Sequence, residues 1–130
     1  MRFIICSILC LSACGKEPVK ANPCATKGAT YFSHFVESNN GTCGPVPDTI
    51  VNINEDGTIQ GDAPTCDSIT QTGCVARNTG CKITADGVTC SATTSVTFKA
   101  DGSSADGLVT ISCSGKASCT STYQSKLLRQ

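Results

Sequence analysis

The stretch Lys82–Cys113, KITADGVTCSATTSVTFKADGSSADGLVTISC, decides the fold of this chain. Short runs rich in threonine, valine and serine are separated in it by the dipeptide Asp-Gly, at Asp86–Gly87, Asp101–Gly102 and Asp106–Gly107. Asp-Gly favours hairpin turns, because glycine adopts a positive φ freely and the aspartate side chain bonds to nearby backbone. The stretch therefore predicts antiparallel strands joined by tight turns.

The predicted strands lie on either side of these turns. Lys82–Thr84 and Val88–Ser91 flank the first turn, and Ser95–Lys99 and Leu108–Cys113 flank the later ones. Apolar residues alternate with other residues in the last two runs. We therefore expect one face of each strand to pack on a core and the other face to meet water.

Segments outside this stretch complete the predicted fold. Thr30–Glu37 is rich in aromatic and β-branched residues and Thr49–Asn54 in β-branched residues, as strands are. Cys119–Arg129 is predicted as a closing strand, with a short helix over Ser125–Gln130 as the alternative. Gly61–Gly80 shows no clear period and is predicted as a long loop held by disulfides. Strands joined in chain order by short turns predict an all-β fold, a small disulfide-rich antiparallel meander that closes as a barrel or folds as a sandwich.

The N-terminus has the layout of a secretion signal. After Met1–Arg2, an apolar run of roughly 9 residues is too short for a spanning helix, which needs about 20. Leu11–Cys14 (LSAC) follows and resembles the lipobox of bacterial lipoproteins, an aliphatic residue and two small ones before a cysteine. The resemblance divides the chain into a signal peptide (1–13, removed), a lipidated tether (14–23) and a disulfide-rich β-domain (24–130).

The lipobox resemblance implies a location. In that family the cysteine corresponding to Cys14 carries diacylglycerol, and its new amino group is acylated, often with palmitate. Two or three acyl chains hold a soluble domain stably on a membrane. Gly15 stands where an aspartate would favour the inner membrane of a Gram-negative bacterium, so we expect the outer membrane. The membrane is thus the expected partner, through the lipid anchor of a cell-envelope protein.

Cysteine usage agrees with export. Of the 11 cysteines, Cys6 and Cys10 lie in the signal and Cys14 takes the lipid, which leaves eight. An even number in an exported chain predicts disulfides, although eight cysteines allow roughly 100 pairings and the connectivity stays open. The absence of a C-x-x-C motif and of a second histidine beside His34 predicts no metal site, and we expect no cofactor. The eight are Cys24, Cys43, Cys66, Cys74, Cys81, Cys90, Cys113 and Cys119.

A second resemblance rests on short motifs of the mature chain. Thr42–Asp48 (TCGPVPD), together with Cys119 and Tyr123, is similar to cysteine-rich lipoproteins of uncharacterised function, notably those of myxobacteria. The resemblance implies a small disulfide-bonded β-domain and supplies no catalytic residues.

Residues with catalytic chemistry are sparse. The formal net charge is zero and the basic residues are scattered, so nucleic-acid binding is not expected. His34 is the only histidine, no G-x-S-x-G motif occurs, and Glu37 is a single carboxylate in a strand-like setting. We therefore predict that the protein is not an enzyme. Asn52–Gly57 partly matches a calcium loop, but a hairpin turn explains the same residues.

The sequence thus favours a non-enzymatic interaction or structural module of the cell envelope. Its partner would be an envelope protein. The first alternative is a β-barrel that binds a small apolar ligand in its mouth. A less favoured alternative is a protease inhibitor that uses the rigid loop Cys43–Pro47.

The lipidation hypothesis predicts the effect of one substitution. Cys14→Ala should abolish metabolic labelling of the protein by a fatty-acid analogue, because the acylated sulfur is gone. A serine substitution at Cys6, inside the predicted signal, serves as the matched control and should leave labelling intact. Labelling that persists in the Cys14→Ala protein would contradict the assignment.

Overall fold

The computed structural model describes residues 17–18, 22–57, 60, 62–63 and 65–130. No helix in this part of the chain is long and apolar enough to cross a membrane. Cys14 and the predicted signal lie outside the described residues. The strands are β1 (Glu17–Pro18), β2 (Thr30–Glu37), β3 (Thr49–Asn52), β4 (Asp62–Ala63), β5 (Ser68–Thr72), β6 (Val75–Ala85), β7 (Val88–Phe98), β8 (Ser104–Gly115) and β9 (Cys119–Arg129).

Most of the strands join one antiparallel sheet. Its seven strands run in the order β3-β2-β9-β8-β7-β6-β5, and β1 pairs separately with β4. From β5 to β9 each strand pairs with the next, and β9 then returns to pair with β2. The sheet curls into a half-barrel whose edges are β3 and β5. The prediction of an all-β, disulfide-rich antiparallel meander is confirmed.

The Asp-Gly turns were predicted correctly at two of the three positions in the deciding stretch. Asp86 and Gly87, with φ of 53° and 77°, form the two-residue turn between β6 and β7. Gly102, with φ of 70°, lies in the turn between β7 and β8. Asp106–Gly107 was predicted as a turn but lies inside β8, so that prediction is wrong.

The prediction of a loop over Gly61–Gly80 is also wrong, although two disulfides do hold this segment, as predicted. It contains β5 and the first half of β6, which form a hairpin around Gly73. Two features hid these strands from the sequence pattern. β5 is the polar edge strand SITQT, and the register of β6 shifts between Asn78 and Cys81, where Gly80 has a φ of 62°. A bulge of this kind breaks the alternation of inward and outward residues. At the C-terminus, β9 confirms the closing strand and rules out the helical alternative for 125–130.

The concave face of the half-barrel holds the core, in two clusters at opposite ends of the long strands. Tyr123, Ile111 and Cys90 belong to the first cluster, and Tyr31 and Phe98 belong to the second. The rings of Tyr31 and Phe98 meet edge to face with centroids 5.5 Å apart. Between the clusters, the inward row of residues is small at its centre, where Gly107 lies opposite Ser125.

Four disulfides link the described residues. They pair Cys24 with Cys74, Cys43 with Cys119, Cys66 with Cys81, and Cys90 with Cys113. The first three join segments beside the meander to its strands or turns, and the last joins β7 directly to β8. Multiple disulfides indicate a protein that lies outside the cytoplasm.

Gly107 is required for space rather than for an unusual backbone angle. A Cβ atom at this position would lie 2.1 Å from Oγ of Ser125 and 3.6 Å from Cγ2 of Val96. We predict that Gly107→Ala destabilises the domain by about 1–3 kcal/mol through overpacking. Urea unfolding of the fully oxidised protein, with all disulfides intact, measures the change in the free energy of unfolding.

A double variant tests this steric explanation. Ser125→Ala removes the oxygen that the new methyl group would meet, so it should rescue much of the loss when combined with Gly107→Ala. Wild type, the two single variants and the double variant together form a double-mutant cycle, so Ser125→Ala is also measured alone. Strictly additive effects of the two substitutions would contradict the steric explanation.

Candidate functional site

The outer face of the sheet carries two rows of side chains across four strands. Strand pairing sets them in register, because residues directly opposite each other share a face. The first row is Thr97, Asp106, Lys126 and His34, and the second row is Ser95, Leu108, Gln124 and Val36.

These two rows line a groove of about 580 Å³, with Gly107 and Ser125 beneath them, which we call the outer groove. Its volume lies within the range of small-molecule sites, about 300–1,000 Å³. Val36 and Leu108 are 57% and 48% exposed, whereas Asp106 and Lys126 bring opposite charges. The outer groove therefore offers apolar contact area flanked by charge.

His34 lies at one end of the outer groove. Its Nδ1 atom is 2.6 Å from Oδ1 of Asp48, and both side chains are about half exposed. An exposed pair of this kind contributes about 0–1 kcal/mol to stability. Within the described residues the ring makes no further hydrogen bond, so no hydroxyl or thiol is held against it as a nucleophile.

Glu37 has a structural role on the other face. Its Oε1 atom accepts a hydrogen bond from the backbone N–H of Gly44 at 3.0 Å and another from the hydroxyl of Ser121. Oγ of Ser121 accepts in turn from the N–H of Cys43 at 2.8 Å. One carboxylate thus fixes the segment 38–48, which we call the β2–β3 loop.

The β2–β3 loop includes the candidate inhibitory segment Cys43–Pro47. Val46 of this segment is only 7% exposed and packs in the first core cluster. Two interactions attach the segment to the sheet. Cys43 forms a disulfide with Cys119, and the Tyr123 hydroxyl donates a hydrogen bond to the Gly44 carbonyl at 2.7 Å. The segment therefore covers the core at this point.

The segment that partly matched a calcium loop is a turn. The N–H of Gly57 donates to the carbonyl of Asn54 at 2.9 Å, and Gly57 has a φ of 85°. Oδ1 of Asn52, one of the candidate oxygen ligands, accepts a hydrogen bond from the Thr30 hydroxyl at 2.9 Å. The local hydrogen bonds account for these residues.

The predicted disulfide cysteines come together most closely at one end of the half-barrel. The Sγ atoms of Cys43, Cys113 and Cys119 lie within 4.8 Å of one another. All three are oxidised, in two neighbouring disulfides, and an oxidised sulfur is not a metal ligand. Sequence reasoning did not find the outer groove, because its rows depend on the register between strands that are distant in the chain.

Comparisons with models of protein families, with curated proteins and with solved structures found no match for this chain. The similarity of Thr42–Asp48 to cysteine-rich lipoproteins therefore stays a prediction. The structure defines the class of this protein: it is an extracytoplasmic all-β half-barrel held by four disulfides.

Tyr123 provides a prediction that depends on pH. Burial raises the pKa of its hydroxyl above the ordinary 10.0, because the ionised form would lose water. Tyr123→Phe should cost about 1–3 kcal/mol near neutral pH, since it leaves the Gly44 carbonyl without its donor. The hydroxyl's contribution is complete below the unfolded pKa and is lost as the pH rises through the raised folded pKa.

Denaturant unfolding at several pH values checks the sign. The difference in stability between wild type and Tyr123→Phe should be constant below about pH 9 and shrink above about pH 10. A difference that stays constant through this range would show that the hydroxyl does not carry the effect.

Proposed function

We propose that this chain is a lipid-anchored cell-envelope lipoprotein that acts as a non-enzymatic interaction module, and that its outer groove is the contact surface. The observation that carries the proposal is the exposure of Val36 and Leu108 in a groove that Asp106 and Lys126 also line, on the outer face of the sheet. Apolar area rimmed by polar groups is typical of protein interaction sites.

The concave face supports this proposal over the apolar-ligand alternative. Tyr31, Tyr123 and Ile111 are fully buried there. The hydroxyls of the two tyrosines donate to the Gly102 and Gly44 carbonyls at 2.6 and 2.7 Å. A ligand inside the half-barrel would have to displace these side chains and break their hydrogen bonds. The outer groove needs no such rearrangement.

Anchoring through Cys14 would hold the domain close to its membrane. β1, which pairs with β4, begins at Glu17, only three residues after the predicted lipid. Three extended residues reach about 10 Å. The proposed partner would therefore be a component of the same envelope, and the outer membrane of a Gram-negative bacterium is the proposed location.

Two leucines on the outer face provide a matched test in cells. Leu108 lies in the outer groove and is 48% exposed, whereas Leu128 lies outside it and is 46% exposed. A photo-crosslinking amino acid at position 108 should yield discrete adducts with an envelope protein, and the same amino acid at position 128 should not. Identical adduct patterns from both positions, or none from position 108, would overturn the proposal.

Charge substitutions at the same positions separate binding from stability. Leu108→Glu should abolish adducts formed by a crosslinker at Gln124, and Leu128→Glu should leave them unchanged. Both exposed substitutions should alter the free energy of unfolding by less than about 0.5 kcal/mol. Equal loss of adducts in both variants would assign the effect to something other than the outer groove.

A further inference from the structure

Two disulfides lie against each other at the end of the half-barrel where β8 turns into β9. Cys90 on β7 is directly opposite Cys113 on β8, and Cys113 is directly opposite Cys119 on β9. The bonds observed are Cys90–Cys113 and Cys43–Cys119. Cys113 therefore has a bonded neighbour on one side and an unbonded sulfur, that of Cys119, within 4.8 Å on the other.

The four sulfurs differ in their access to solvent. Cys90 is completely buried, and Cys113 and Cys119 are 4% and 5% exposed. Cys43, on the β2–β3 loop, is only partly buried. An external thiol would therefore attack the Cys43 sulfur first, and the electron pair of the broken bond would leave on the sulfur of Cys119.

We propose that these two disulfides form a single thiol–disulfide exchange site for a dithiol reductant. The inference is independent of the proposed role of the outer groove. The reductant forms a mixed disulfide with Cys43 and releases the Cys119 thiolate. That thiolate attacks Cys113, which forms the Cys113–Cys119 bond and breaks Cys90–Cys113, and Cys90 takes up a proton.

The second thiol of the reductant completes the reaction. It displaces Cys43, which leaves as a thiol, and the reductant departs as its own disulfide. The reductant has lost two electrons, and the protein has one disulfide fewer, with thiols on Cys43 and Cys90. The new Cys113–Cys119 bond links β8 to β9 beside the turn of their hairpin.

Exchange would change what covers the first core cluster. The Cys43–Cys119 bond is the covalent tie of the β2–β3 loop to the sheet, and Val46 of that loop packs in the cluster. After exchange, the loop keeps its hydrogen bonds, including those of Glu37, but has no covalent tie to β9. The sheet itself stays linked through Cys113–Cys119.

The other two disulfides provide internal controls. Among the described cysteines, Cys24–Cys74 and Cys66–Cys81 contribute no sulfur to the close group formed by Cys43, Cys113 and Cys119. Their reduction should free the two original partners and create no new bond.

Disulfide mapping of the full, oxidised chain tests the proposal. The protein is treated with one equivalent of dithiothreitol, quenched in acid, alkylated, digested and analysed by mass spectrometry. The expected two-thiol species carries label on Cys43 and Cys90 and contains a Cys113–Cys119 bond. A species with label on Cys43 and Cys119 and an intact Cys90–Cys113 bond would overturn the proposal.

A pair of double variants tests the same geometry without a reductant. Cys43→Ser with Cys90→Ser leaves Cys113 and Cys119, which should form a disulfide in nearly all molecules during oxidation. Cys43→Ser with Cys113→Ser leaves Cys90 and Cys119, which flank β8 on either side and should remain alkylatable. Free thiols on Cys113 and Cys119 in a folded first variant would contradict the proposal, and if that variant does not fold, the mapping of the wild-type chain decides.

Discussion

The structure depends on the covering of one open concave face. A half-barrel buries only one side of its sheet, and it leaves two edges that hydrogen bonds do not close. The segments that cover the concave face lie outside the strands of the seven-stranded sheet and are attached by loop hydrogen bonds, such as that from the N–H of Thr42 to the Thr120 carbonyl. Disulfides attach them covalently as well, and in the chain-entropy model each contributes about 3–5 kcal/mol. The three that attach covering segments are Cys24–Cys74, Cys43–Cys119 and Cys66–Cys81.

Two buried tyrosines attach covering loops by hydrogen bonds, one in each of the two core clusters at opposite ends of the half-barrel. Tyr31 donates to the carbonyl of Gly102 and accepts a hydrogen bond from the N–H of Thr26, at 2.6 and 3.0 Å. Tyr123 donates to the carbonyl of Gly44 at 2.7 Å. Each ring fills the core while its hydroxyl satisfies the backbone of a loop, which is the arrangement a buried tyrosine requires. With no tryptophan in the chain, these side chains supply much of the large buried area.

The sequence predicted what local chemistry determines. The turn at Asp86–Gly87 follows from its turn residues and the strand Thr30–Glu37 from its aromatic and β-branched residues, and both were predicted correctly. The pairing of β9 with β2 joins residues about 90 positions apart and has no local signature, so the half-barrel was not distinguished from a closed barrel or a sandwich. The hairpin inside Gly61–Gly80 was missed because its first strand is polar and its second contains a bulge.

Asp106–Gly107 shows why the candidate site was also missed. The dipeptide has the composition of a turn, but at Gly107 the Oγ atom of Ser125, which lies directly across the strand pair, occupies the space that a Cβ atom would need. The inner face carries small residues at this row, because Gly107 lies directly opposite Ser125. The outer groove lies over Gly107 and Ser125. The row of small residues between the two core clusters therefore also underlies the candidate interaction surface, and this coincidence depends on the register of four strands.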